Sequence, residues 1–546
     1  MAYTAHVDTF ARDNLPPKSQ WPELIFELPE LQYAKRLNCA AELLDKMVAG
    51  GQGERRVIHT LIDGKVYSCT YRQLLHRANQ IAHVLTEDLR LRPGNRVLLR
   101  APNNPMMAAC WFAVVKAGLV AVPTMPLLRA TELKQIIDKA KVGAALCDVR
   151  LKEELELAQA ECRGLKQVLY FNDDSPGSLE RKLEAKSGVF RNADTAADDV
   201  CMIAFTSGTT GQPKGTVHFH RDVLAMCDCF PRSCLKPVRD DIFCGTPPLA
   251  FTFGLGGLLC FPMRYGASTV LMERLTPDTL LGTIEHFKAT ICFTAPTFYR
   301  QMAGLFANHK LKSLKKCVSA GEALPDATRQ LFKEASGIEI IDGIGATEMI
   351  HIFISHTPER VRRGATGYVI PGYQALVIDD EGKPCAPGVV GRLAVKGPTG
   401  CRYLADGRQK DYVIGAGAMR GWNLTGDAYK MDADGYFHYQ ARTDDMIISA
   451  GYNIAGPDVE AALLQHPAVA ECGVVGVPEP ERGQIVKAWI VLKSGYTGNA
   501  PMVKELQEFA KKTIAPYKYP RAVEFVAALP RTETGKLQRF RLRQAG

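Results

Sequence analysis

The chain has 546 residues, with 46% hydrophobic and 23% charged residues and a net charge of +9. That length exceeds one compact core and implies several domains or subdomains, in a composition that excludes disordered and fibrous classes. The basic excess is dispersed except at "RFRLRQAG", which reads as a solvated tail and no nucleic-acid surface, although a mild positive balance suits a polyanionic small ligand.

The first 55 or so residues are a proline-dotted lead-in ending in a helix, "NCAAELLDKMV". "RRVIHTLIDGKVYSCT" predicts two strands joined at Asp63-Gly64, and "YRQLLHRANQIAHVLTEDL" a helix. "NRVLLRAP", "PMMAACWFAVVKAG", "LVAVP", "ATELKQIIDKAK" and "VGAALCD" then alternate strand and helix, the signature of a mostly parallel α/β sheet. The apolar run through this region is broken by Lys116, Gly118 and Pro123, so it predicts a buried helix and a strand, with no membrane span.

Strands resume at "VCMIAFTSGTT", "ASTVLME", "ATICFTAP", "KKCVSAG" and "IEIIDGIG", each running into a glycine- or hydroxyl-bearing loop where open α/β sheets bind ligands. From about 365 to 442, short strands, turns and prolines predict a small β subdomain. The last hundred or so residues form another unit, with a boundary near Thr443-Asp444. The predicted class is therefore α/β: an N-terminal domain (1–443) of α/β sheets with a β subdomain, and a smaller mobile α+β domain (444–546).

Sixteen cysteines are present, without CxxC pairs or zinc-ligand spacing, and "MAYTAHVDTFARDNLPP" lacks the apolar core of a secretory signal. Reduced thiols in a cytoplasmic protein are expected.

The stretch "TSGTTGQPKGT" (206–216) joins backbone freedom to hydroxyls and one ammonium, a composition suited to oxyanions. A flexible surface loop is the alternative. It is not a Walker loop, since Lys214 follows Pro213 and precedes Gly215. The full string resembles the signature loop of AMP-forming adenylating enzymes, namely acyl-CoA synthetases, adenylation domains and luciferases. In that family's order follow "GIGATE" (343–348), "TGD" (425–427), "ARTDDMIISAGYNI" (441–454) and "PRTETGKLQR" (530–539).

The resemblance implies a two-step reaction, in which a carboxylate attacks the α-phosphate of ATP and a thiol then displaces AMP. Carried over by motif, Thr206, Ser207, Gly208, Thr209, Thr210 and Lys214 hold phosphates, and Thr347 contacts the α-phosphate. Glu348 binds Mg²⁺, with a surface salt bridge as its bland alternative. Gly321, Glu322, Gly343 and Ile344 frame the nucleotide, while Asp427 and Arg442 reach the ribose; a turn aspartate is the alternative for Asp427. Lys536 is the implied adenylation lysine, Asp444 the hinge, and Gly451 and Tyr452 the coenzyme A contacts. The P-x4-G-K form around Lys536 also matches family members silenced by a lysine acetyltransferase.

Two departures from the family pattern, Ile344 for the usual aromatic residue and Phe251 for a common histidine, resemble the benzoate and 2-aminobenzoate branch of CoA ligases. So does the N-terminal "TFARDNLPPKSQWPELIFELPELQY". Phe251, Phe253, Tyr299, Ala320, Gly345 and His351 are the candidate acyl-pocket residues, each open to the alternative of plain core packing. The expected substrates are an aromatic carboxylate, ATP and free coenzyme A. Ten residues after Lys536 leave no space for a fused carrier domain, so transfer to a separate carrier protein is the rival. Neither nucleic acid nor membrane is an expected partner, and monomer and homodimer stay open.

Overall fold

The computed structural model describes residues 3–62, 64–206, 213–449, 452–479, 482–514, 516–531 and 537–545. Two sheets dominate its first 370 residues. A six-stranded sheet runs in the order Gln167–Phe171, Ala144–Asp148, Arg96–Arg100, Val120–Thr124, Val200–Thr206, Lys214–Phe219. Its strands are parallel except the last pair. A nine-stranded sheet is parallel from Ile340–Gly345 through Lys316–Ser319, Ile291–Thr294, Ile242–Gly245 and Ser268–Val270 to Arg56–Ile62, with antiparallel strands at both edges.

The parallel strands are apolar throughout because both faces are covered; all five residues of Arg96–Arg100, Val120–Thr124 and Ala144–Asp148 are buried. The helix Pro105–Lys116 is buried along nearly its whole length in the core that the two sheets share. Asn104 caps it through the Met107 N–H, with proline at its first position, and its buried Lys116 reaches Asp45 at 2.5 Å. Among the described residues no helix is long and apolar enough to cross a membrane. All sixteen cysteines are free, and all but Cys69 and Cys385 are buried.

Beyond these sheets lies a four-stranded antiparallel sheet, Gln374–Ile378, Val390–Lys396, Asn423–Met431 and Phe437–Arg442. The last hundred residues have their own sheet and their own core around Val459, Leu463, Val474, Val486, Ile490 and Leu506. Antiparallel Val469–Glu479 and Gly483–Leu492 form its centre, with Ala522–Phe525 added in parallel and the helices Gly456–Leu463 and Ala500–Thr513 against it.

One element was not legible beforehand. The loop at 206–214 does not lead from strand to helix; it closes an antiparallel hairpin in which Thr206 stands opposite Lys214. Lys214 thus opens a strand, Lys214–Phe219, whose mixed composition hides its partner-dependent pairing.

Candidate active site

The described ends of the loop converge on chain from two other regions. Lys214 is half-buried, and its Nζ donates to the Tyr403 hydroxyl at 3.3 Å. That hydroxyl in turn donates to Glu348 Oε1 at 2.5 Å. Tyr403 is held there by backbone pairing, because Val217 N–H donates to Arg402 O and Leu404 N–H to Gly215 O, each at 2.8 Å. The other side of the loop's exit is tied by Lys139, whose Nζ donates to Pro213 O at 3.1 Å and pairs with Asp406. Burial works against an ionised Asp406, yet Arg408 and Lys139 hold its carboxyl well below the usual carboxylate range.

Glu348 sits in the short turn Thr347–Met349, after Ile340–Gly345, and is 8% exposed. Its second carboxylate oxygen accepts no hydrogen bond among the described residues, so a mostly buried anionic oxygen faces the lysine side of the site. A hard divalent cation fits that donor. Burial first, and the Glu348 carboxylate next, push the Tyr403 hydroxyl far above its ordinary range, so it stays a donor at any working pH.

Asp427 and Arg442 stand opposite each other on neighbouring strands, and Arg442 Nη1 donates to Asp427 Oδ1 at 3.0 Å and to Thr425 O at 2.9 Å. Gly426 between them has φ +75°, and a Cβ there would lie 2.6 Å from Arg442 Nη2, so glycine is required. The buried Tyr412 joins the two carboxylates: its ring lies edge-on to Tyr403, and after burial the charges of Glu348 and Asp427 raise its hydroxyl furthest.

Gly321, with φ +91°, and Glu322 follow the strand Lys316–Ser319, while Gly343 and the half-buried Ile344 end Ile340–Gly345. Glu322 accepts from Thr297 Oγ1 at 3.2 Å and pairs with Arg531 of the C-terminal unit at 3.3 Å. Arg531 also pairs with Glu471 at 2.7 Å and bridges to Leu537, so the described flanks of 532–536 lie beside Glu322. Lys536, Ser207, Gly208, Thr209, Thr210 and Gly451 lie outside the described residues, as do the side chains of Asp444 and Tyr452.

Of the acyl-pocket candidates, Phe253 and His351 meet at 5.7 Å between ring centroids, with Phe261 4.6 Å from His351. Gly345 packs directly on the His351 backbone, where a Cβ would come within 2.7 Å of its carbonyl. Burial lowers the His351 pKa to about 3, leaving a neutral ring whose two nitrogens lack protein partners. Ala320 is buried at the end of its strand, and Phe251 is half-buried at the turn before Thr252–Leu255.

Tyr299 does not join them. Its ring packs edge-on against Phe332, and its hydroxyl donates to Cys292 O at 2.9 Å and Val318 O at 3.1 Å. Successive residues of a strand face opposite sides: Cys292 shares a core with Tyr299, whereas Phe293 packs with Phe253. Tyr299 is therefore a core residue of the far layer. Sequence reading also passed over Tyr403, since nothing in "GCRYLAD" marks that tyrosine apart from the chain's others.

A family model described as AMP-binding enzyme matches residues 46–403, and one described as AMP-binding enzyme C-terminal domain matches 458–536. The chain is 33% identical to benzoate–CoA ligase of Thauera aromatica over 95% of its length and 98% of that protein's. It is 31% identical to mitochondrial acyl-coenzyme A synthetase ACSM3 of Mus musculus, over 95% and 91% of the two chains. The crystal structure of the anthranilate CoA ligase AuaEII in complex with anthranoyl-AMP superposes with a TM-score of 0.88 at 32% identity, over 95% of this chain and 99% of that one. Carrying both halves of the match in order, on a fold shared end to end with an adenylate-bound relative, the chain belongs to the AMP-binding enzyme family.

Proposed function

We propose that this protein is an AMP-forming ligase that joins an aromatic carboxylic acid to coenzyme A. In the first step a carboxylate oxygen bonds to the α-phosphorus of ATP and the bond to pyrophosphate breaks. In the second, the coenzyme A sulfur bonds to the acyl carbon and AMP leaves. Both steps place negative charge on oxygens, so fixed cations and donors do the stabilising.

The observation that carries the reading is the juxtaposition of Lys214, Tyr403 and Glu348 with a neighbouring wall of small and aromatic residues, Gly345, Phe253 and His351. Lys214 and the hairpin's hydroxyls would hold the phosphates that leave, and Thr347 the α-phosphate. Glu348 would hold Mg²⁺, which when bound supplies charge neutralisation at phosphate oxygens. Asp427 would accept hydrogen bonds from the ribose hydroxyls and Arg442 would orient it. Lys536 would neutralise the charge that builds as acid and α-phosphate meet. A flat ring fits the small-and-aromatic wall, and the names of the benzoate and anthranilate relatives point the same way.

Pyrophosphate release, screened over benzoate, 2-aminobenzoate, other aryl acids and medium-chain alkyl acids, tests the substrate class. Aryl acids should lead in kcat/KM. A lead for alkyl acids would favour a medium-chain synthetase, to which the similarity to acyl-coenzyme A synthetase ACSM3 also speaks. Release of aryl-CoA in steady turnover with free coenzyme A supports that thiol; transfer only to a carrier protein defeats it.

A further inference from the structure

Lys214 and Glu348 are opposite charges in a mostly buried site, yet they make no direct ion pair within 4.0 Å among the described residues. One group separates them. The Tyr403 hydroxyl accepts from the ammonium at 3.3 Å and donates to the carboxylate at 2.5 Å, and the same ammonium lies 5.2 Å from the ring centroid. Tyr403 is 1% exposed, its main chain is paired with the strand that Lys214 opens, and its N–H donates to Gln409 Oε1 at 2.8 Å. The spacer is thus fixed by backbone pairing rather than by the two charges it touches.

An ammonium has three N–H donors and a carboxylate two oxygens. Using one of each on a single hydroxyl leaves two N–H groups and one oxygen free. A direct pair would instead spend both charges on each other, in surroundings where opposite charges attract far more strongly than in water. We propose that Tyr403 is a positioning residue for nucleotide and metal, a spacer that keeps Lys214 available to phosphate oxygens and Glu348 available to a divalent cation. It rests on the reading of Lys214 as a phosphate ligand and Glu348 as a cation ligand.

Tyr403→Phe removes the hydroxyl and keeps the ring against Tyr412. Acid-dependent pyrophosphate release is measured against MgATP and against free Mg²⁺, with the best acid of the panel. Both the KM for MgATP and the Mg²⁺ concentration at half activity should rise about tenfold, the scale of one lost charge-assisted hydrogen bond. Thioester formation from supplied acyl-adenylate, which needs neither ATP nor metal, should stay within about twofold by the same reasoning. Tyr412→Phe should change none of these values, because the Tyr412 hydroxyl has no protein partner. In a Glu348→Gln background, Tyr403→Phe should add little, since the charge to be spaced is gone.

Unchanged MgATP and Mg²⁺ dependence in folded Tyr403→Phe overturns the proposal, and so do equal losses in both half-reactions. If Tyr403→Phe folds poorly, a fluorinated tyrosine incorporated at 403 keeps the shape and weakens the oxygen as an acceptor; the Mg²⁺ dependence must still shift, and constancy overturns the proposal. Glu348→Gln alone reports on the underlying reading: should it leave Mg²⁺ dependence untouched, the cation-site assignment fails, whatever Tyr403 does.

Discussion

Within the large body, Lys214, Tyr403 and Glu348 come from three separate stretches of chain and meet through a mostly buried chain of hydrogen bonds. The C-terminal unit reaches that body differently. Half-buried arginines carry the polar contacts: Arg531 to Glu322 at 3.3 Å, and Arg300 to Leu464 O at 3.4 Å. Its own interior is as well packed as the body's, with Val459, Leu463, Val486, Ile490 and Leu506 fully buried. The difference therefore lies in the joint. Buried short hydrogen bonds fix geometry, whereas solvent-screened arginine pairs are worth little and part easily. A body that must hold phosphates still, next to a unit that must present two different faces, calls for those two kinds of contact.

The largest expected effect breaks the C-terminal unit's part in adenylation alone. Lys536→Ala should lower acyl-adenylate formation by about 100- to 1,000-fold, the scale of removing one preorganised charge stabiliser. Thioester formation from supplied acyl-adenylate should persist. Equal loss of both half-reactions would defeat that division between body and mobile unit.

A smaller effect is expected at the joint. Arg531→Ala removes the pairs to Glu322 and Glu471, both of which leave Arg531 about a quarter exposed. Screened pairs of this kind are worth up to ~1 kcal/mol, so adenylation should fall no more than about fivefold. The thioester step should hold or quicken, because the unit is freer to leave its docked position. A larger fall in the thioester step than in adenylation would show that Arg531 serves the second face and not the first.

Much of this arrangement was readable in advance. Continuous apolar runs such as "NRVLLRAP" and "VGAALCD" occur only where a strand is covered on both faces, so a parallel sheet followed from them. The loop at 206–214 announced its chemistry through glycines, hydroxyls and a lone lysine. What stayed hidden depends on partners distant in sequence. Lys214–Phe219 is a strand because Val200–Thr206 pairs with it, and Tyr403 matters because residues 215 and 217 bond to its neighbours. Tyr299 was misplaced for a related reason: an aromatic residue after an apolar strand can face either layer, and only the register of Ile291–Thr294 decides which.

The smallest expected effect on catalysis concerns a group that only the body has. Asp342, on the strand leading to Gly343 and Ile344, is fully packed in, and burial pushes its carboxyl up to about 7; the Arg329 guanidinium, 4.0 Å away, and the Gly343 N–H oppose that shift. In the unfolded chain the same group ionises near 3.8. The folded state therefore holds a proton that the unfolded state has released between these values. Its contribution to stability is whole below about pH 4 and is lost as pH rises through about 7. Three units at about 1.4 kcal/mol each set a ceiling near 4 kcal/mol. Asp342→Asn cannot ionise, so it should lose to the parent or match it at pH 4 and gain steadily in relative Tm from pH 5 to pH 9. Thermal melts across that range decide the matter: a difference in Tm that stays flat with pH would mean that Asp342 is already ionised in the folded body, with Arg329 rather than desolvation setting its charge.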